Sequence, residues 1–227
     1  EGGVEKVPNF QKNIIASAEC YSKPVIIATQ MLESMIDSPR PTLAEVSDVV
    51  NGVLDGADCV MLSAETASGK YPVKALEKMA ATIRRVESWS LNKIERYHDN
   101  SSEYHTGEEH SAIARASCEA ADKIKAKAIV CLTLTGSIAR LISRWRPNSL
   151  IIAISPSYDV IRRLSLHWGV YGMRNPLFYD TDILLQDLPE LLKELKIVDS
   201  GDKIVVTAGI PLNSNCSTNM IKINEIP

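Results

Sequence analysis

Two apolar runs in this chain each end in a burst of side chains that can move protons or hold anions. Val25-Ile26-Ile27-Ala28 delivers Thr29 and Gln30, and Cys59-Val60-Met61-Leu62 delivers Ser63, Glu65 and Thr66. A hydroxyl at such a place can donate to a substrate carboxylate or hold a water for proton transfer, and Glu65 can serve as acid, base or ion-pair partner. The plainer alternative is that Thr29 and Ser63 cap the helices that follow and that Glu65 pairs with a lysine or arginine. A third segment, Leu132-Thr133-Leu134-Thr135-Gly136-Ser137-Ile138, again runs from an apolar stretch into a helix start. Backbone N–H groups, hydroxyls and a glycine suit a phosphate there, against an ordinary helix start capped by Thr135 or Ser137. No Gly-x-x-x-x-Gly-Lys-Ser/Thr and no Gly-x-Gly-x-x-Gly occurs, so a nucleotide has to be held in another way.

The elements that must position these groups follow from periodicity. A helix is predicted over Phe10 to Cys20, then a strand from Val25 to Ala28. Thr42 with Glu45 three residues on is a capping box that starts a second helix, whose stripe is Val46, Val49, Val50, Val53 and Leu54 and whose stop is Gly56. A strand over 58–62 and a helix from Val73 to Trp89, with Leu76, Met79, Ala80 and Ile83 inward, complete this part. The order is that of a parallel α/β barrel, in which reacting groups sit at the C-terminal strand ends. Two strands cannot close a barrel, so it would be partial.

Residues 90–107 are polar and aperiodic and read as a linker between domains at 1–89 and 108–227. Beyond it, helices are predicted at 111–125, 137–145, 157–167 and 182–197. The last of these carries Leu188, Leu191, Leu192 and Leu195 inward. Strands at 127–132, 149–154, 169–173, 203–208 and 219–225 make a small, mostly parallel α/β sheet covered on both faces.

Composition narrows the partners. A net charge of -3 and a pI near 5.9 give no general attraction to nucleic acid or to an acidic membrane. No apolar run approaches the roughly 18 residues of a membrane span. Cys20, Cys59, Cys118, Cys131 and Cys216 are scattered and read as reduced, mostly buried thiols of a cytoplasmic protein. His98, His105 and His110 have spacings that suit no one-face metal site and read as solvated loop. His167 reads as helix-end packing, and Arg144-Trp145-Arg146 and Arg162-Arg163 as solvated faces. The chain begins Glu1-Gly2-Gly3 in mid-pattern and reads as a fragment or a processed product.

The stretches Ile27 to Ile36, Pro39 to Val49 and Asp55 to Pro72 together closely resemble pyruvate kinases, and residues 108–227 resemble that family's C-terminal domain. The Ser63-Ala64-Glu65-Thr66-Ala67 wording suggests a bacterial form. The resemblance implies the last units of a (β/α)8 TIM barrel followed by an effector and oligomerisation domain, within a homotetramer. It implies the glycolytic transfer of a phosphoryl group from phosphoenolpyruvate to ADP, giving pyruvate and ATP, with Mg2+ and K+. Thr29 matches the threonine at the phosphoenolpyruvate end of the site, implicated in protonating the enolate, and Ser63 matches a serine near that proton path. The catalytic lysine, the metal ligands and the nucleotide-contacting arginine match nothing here, so these residues alone are expected to be inactive. Glu1 falls opposite the metal-binding aspartate and is given no metal role. Thr133, Leu134, Thr135, Gly136 and Ser137 fall on the effector phosphate loop. Ile138 replaces a hydroxyl there, and Pro211 to Asn219 lacks the glycines and arginine that complete such sites in sugar-bisphosphate-activated members. Leu43 replaces an arginine common at the family's barrel-barrel subunit contact. The competing reading is a stand-alone phosphometabolite-binding or oligomerisation module.

Overall fold

The computed structural model describes residues 3–28, 31–90, 108–175, 181–210 and 217–227. The chain divides into two compact units, Glu1–Glu103 and Tyr104–Pro227. In the first, a 3-10 turn at Val4–Lys6 leads into helix α1, Val7–Cys20, with a proline in its first turn. The helix therefore begins three residues before the predicted Phe10, because a proline whose N–H is not needed favours the first turn. Strand β1, Ile26–Ile27, pairs in parallel with β2, Cys59–Val60. Both are shorter than predicted, although Cys59 N–H donates to Val25 O at 3.1 Å and Met61 N–H to Ile27 O at 2.9 Å, extending the contact by one bond at each end.

Helix α2, Leu43–Leu54, begins with the predicted capping box, in which Thr42 and Glu45 satisfy each other's backbone N–H groups. It ends before Gly56, whose φ of 103° is costly for residues with a Cβ. Its buried face is Val49 and Gly52, with Val46, Val50 and Val53 half-buried. Leu54, expected in the stripe, is exposed. After the single turn α3, Ala64–Ala67, helix α4 runs Pro72–Ser90 and packs on α2. Here Ala75, Met79 and Val86 face the core and Leu76 does not, being 59% exposed. One residue further along a helix is about 100° further round, so Leu76 cannot share the face that Ala75 occupies.

The second unit is a five-stranded sheet in the order β5-β4-β3-β6-β7. Its strands are β3 (Ala128–Leu132), β4 (Leu150–Ser155), β5 (Val170–Arg174), β6 (Lys203–Ala208) and β7 (Met220–Glu225). All neighbours are parallel except β7, which runs antiparallel to β6. Helices α5 (Glu108–Ile124), α6 (Ser137–Arg144), α7 (Tyr158–Leu164) and α8 (Thr181–Glu194) cover it. Alternation along the strands feeds two cores. Ile129, Cys131, Ile151 and Val205 pack with α5, α6 and α7, whereas Val130, Ile152, Ile154 and Val206 pack with α8. The buried face of α8 is Leu184, Leu185, Leu188 and Leu192. Leu191 is only half-buried and Leu195 lies exposed beyond the helix end, against expectation.

Among the described residues, Cys118 and Cys131 are buried thiols and Cys20 and Cys59 half-buried ones. Burial pushes the Cys131 thiol up to about 12, a Thr207 hydrogen bond offsetting part of the effect. No helix among the described residues is long and apolar enough to cross a membrane. Cys216, the linker from residue 91 on, His98 and His105 lie outside the described residues.

Candidate functional site

The two strand ends of the first unit come together because β1 and β2 are neighbours in register, Ile27 beside Val60. Thr29 and Gln30 lie outside the described residues. Ser63 stands exposed before α3, and its side chain makes no capping bond. Thr66 is also exposed and its hydroxyl donates to Ser63 O at 3.3 Å. Glu65 is 3% exposed. Its Oε2 accepts from Ser63 N–H at 2.7 Å and its Oε1 from Leu32 N–H at 3.3 Å. The expected free acid, base or ion-pair partner is therefore a carboxylate committed to backbone donors of both strand-end loops.

A second carboxylate grips the same loop. Residues 33–36 form a 3-10 turn, and Ser34 donates its N–H and its hydroxyl to Glu45, both at 2.6 Å. The Thr42 N–H and hydroxyl reach the same carboxylate at 2.8 and 2.9 Å. Burial pushes the Glu45 carboxyl up, but the Ser34 bonds, side chain then backbone, and those from Thr42 outweigh it and hold it below its ordinary value. A depressed carboxyl stabilises the fold above the unfolded-state pKa of about 4.3, and that contribution is lost as pH falls through the folded value. Glu45→Gln should thus cost about 1 kcal/mol at pH 7, a small figure because solvent screens the site, and less at pH 3.5. Urea titrations at the two pH values check this; an equal cost at both would show that the charge is not what matters.

In the second unit, the chain leaves β3 in one direction toward β4 and returns to β6 on its other side, which makes the C-terminal ends of β3 and β6 a topological switch point. The loop 133–137 sits there. Thr133 is buried and its hydroxyl accepts from Gly136 N–H at 2.9 Å, so it shapes the loop from inside. Gly136 has φ of 82°, and a Cβ there would meet the Leu164 side chain at 3.1 Å. Glycine is needed on both counts. The Thr135 and Ser137 hydroxyls lie 3.1 Å apart, and Ser137 N–H donates to Thr135 Oγ1 at 3.4 Å. The N-cap of α6 is Gly136, which has no side chain to offer, so the Thr135 hydroxyl satisfies the first N–H of the helix from one residue further back. Ile138 is 1% exposed and belongs to the core. The loop 211–216 after β6 lies outside the described residues.

Other expectations need correcting. His110 lies in the first turn of α5, not in a solvated loop, and its Nε2 accepts Thr218 N–H at 3.1 Å. Arg144 is 5% exposed and donates to Ser111 Oγ at 3.0 Å, and Trp145 is buried beside it, so this pair is core and not solvated face. His167 is buried as expected, three residues beyond α7, where its N–H donates to Leu164 O at 3.0 Å. Among the described residues no group of three or more His, Cys, Asp or Glu side chains gathers to hold a metal ion. A cleft of about 890 Å3 lined by Arg40, Leu43, Lys74 and Lys78 among others lies between α2 and α4 and includes no strand-end residue.

Residues 1–76 match the family model described as pyruvate kinase, barrel domain, and residues 111–224 match pyruvate kinase, alpha/beta domain. The pyruvate kinase of Clostridium acetobutylicum is 39% identical over 98% of this chain and 47% of its own length. Pyruvate kinase 2 of a Synechocystis species is 42% identical over 98% of this chain and 36% of its own. A crystal structure of pyruvate kinase from Cryptosporidium parvum superposes with a TM-score of 0.89 at 38% identity, covering 100% of this chain and 45% of that one. A structure of the C. parvum enzyme in complex with ADP gives a TM-score of 0.84 at 37% identity, over 100% of this chain and 45% of that one. The chain spans about half the length, or less, of the relatives it matches.

Proposed function

Since the chain belongs to the pyruvate kinase family, as part of the barrel followed by the α/β domain, we propose that it serves as the C-terminal half of a cytoplasmic, homotetrameric enzyme of glycolysis. That enzyme transfers the phosphoryl group of phosphoenolpyruvate to ADP. The observation that carries this reading is the ordered match to both domain models, with Ser63 and Glu65 at the strand ends where barrel enzymes work. Residues 1–89 are then the barrel portion, 90–107 the linker and 108–227 the effector and oligomerisation domain.

In the reaction, an oxygen of the terminal ADP phosphate takes the phosphoryl group, the bond to the enol oxygen breaks, and the enolate left behind takes a proton on its methylene carbon to give pyruvate. Thr29 is assigned the delivery of that proton, directly or through a held water, and Ser63 the path behind it. Thr29 also contacts the substrate at its enol end. The described residues do not fit the Mg2+ or K+ that the family implies, since they gather no metal ligands. Those cations, with the lysine that helps neutralise the transferring group, are assigned to sequence outside this chain.

Thr133, Thr135, Gly136 and Ser137 are assigned to a phosphorylated effector. The support is a helix start at a switch point with two hydroxyls on its rim and a glycine. The test is a coupled assay for pyruvate from phosphoenolpyruvate and ADP, run on this 227-residue chain and on the complete gene product. The complete product should turn over only with Mg2+ present, and the chain alone should not. Turnover by the chain alone would overturn the assignment of the missing groups. An inactive complete product would favour the alternative, a phosphometabolite-binding or oligomerisation module, which the self-contained double core of the second unit would suit.

A further inference from the structure

We propose that Glu65 is a positioning residue that locks the two strand-end loops of the first unit together, through its two acceptor oxygens and not through its acidity. Among the described residues, few backbone bonds join these loops. The β1–β2 pairing covers two residues on each strand, and Met61 N–H to Ile27 O is the bond beyond it on the C-terminal side. Past that point Leu32 and Ser63 have no ladder to hold them. One carboxylate, 3% exposed, accepts from both of their N–H groups, although Leu32 precedes it by 33 residues.

Two further contacts bring the α3 region onto the same loop. Lys70 N–H donates to Ile36 O at 2.7 Å. Gly69 lets the chains touch, since a Cβ there would stand 2.6 Å from Glu65 O and 3.2 Å from Ile36 Cα. Glu45 holds the same loop at Ser34, accepting from its N–H and its hydroxyl. Segment 31–36 is thus held by two carboxylates, at Leu32 and at Ser34.

Both partners of Glu65 are donors, so only a group with two acceptor oxygens satisfies them. A deprotonated carboxylate does so with charge-assisted bonds that offset its burial. Glutamine offers one acceptor and turns an NH2 toward the remaining N–H. Aspartate keeps the charge but is one methylene shorter and cannot reach both loops. In the proposed active site this makes Glu65 the part that keeps Ser63 in fixed relation to the loop after β1, and this role rests on the pyruvate kinase reading.

The test has two arms. In the complete gene product, backbone amide exchange at Leu32 and Ser63 should quicken by about tenfold or more in Glu65→Gln, while the Ile152 amide in the second unit stays as it was. Unchanged exchange at Leu32 would overturn the lock. If Glu65→Gln loosens the whole first unit, Glu65→Asp decides, since it should keep Ser63 protected and free Leu32; protection of both would count against the proposal.

In the complete enzyme, Glu65→Gln should lower kcat by about 10- to 100-fold with KM for phosphoenolpyruvate nearly unchanged and the pH–rate profile unaltered in shape. A lost limb of that profile would make Glu65 an acid or base and overturn the positioning role, as would an unchanged kcat. If the wild-type enzyme does not turn over phosphoenolpyruvate, the pyruvate kinase reading fails, and the exchange arm still decides the lock.

Discussion

Replacing Thr29 by valine in the complete enzyme should lower kcat by about 10²- to 10⁴-fold while KM for phosphoenolpyruvate moves by less than about threefold. Valine keeps the volume and branching of threonine and removes only the hydroxyl, so the loss reads proton delivery and not packing. Proton delivery acts in the transition state, so its loss falls on kcat, whereas loss of the hydroxyl's contact with bound phosphoenolpyruvate accounts for the small change in KM. The check is steady-state kinetics of the purified variant beside wild type, with the melting temperature of each measured to confirm an intact fold. A kcat within a factor of two of wild type would remove Thr29 from the proton path and leave Ser63 as the remaining hydroxyl to be tested.

The second large effect concerns stability. Ile152 is fully buried in the middle of β4, paired beside Val130 and packed in the core under α8. Ile152→Ala leaves a cavity that strands on either side cannot close, and should cost about 2–5 kcal/mol. In urea, where small domains lose about 1–3 kcal/mol per molar, the midpoint of the second unit should fall by roughly 1–2 M or more. Trp145, 5% exposed in the same unit, supplies the fluorescence signal. Leu150→Ala is the control: it lies on the same strand but is 40% exposed, and it should cost well under half as much. Equal costs at the two positions would mean that burial does not set the stability of this sheet.

Much of the architecture was legible because it rests on short-range chemistry. The Thr42 and Glu45 box lies within one helical turn, and its bonds form wherever a helix begins. Strand β6 has the bounds its sequence predicts, because a continuous apolar run between turn signals has few other uses. The pyruvate kinase resemblance was also written in local order, in the segments around Thr29, Thr42 and Ser63. The same short-range reasoning misplaced Leu76, Leu54 and Leu195, since hydrophobic character does not say which side of a helix meets the core.

Residue order and periodicity carry most of the element types and their order, the family, and the segments with hydroxyls at strand ends, but not the short turns at 33–36 and 64–67. What the polar groups do depends on packing. Glu45 is a cap, as its spacing from Thr42 predicts, and also the anchor of Ser34. Glu65, which its position offers as an acid, a base or an ion-pair partner, accepts from Leu32 and Ser63. His110 and Arg144, expected to be solvated, take partners at Thr218 and Ser111. The physical reason is common to all four. A side chain with several acceptor or donor atoms satisfies them with whatever polar groups the fold brings near, and apart from Ser63, two residues before Glu65, those partners lie 11 to 108 residues away along the chain, beyond any local pattern.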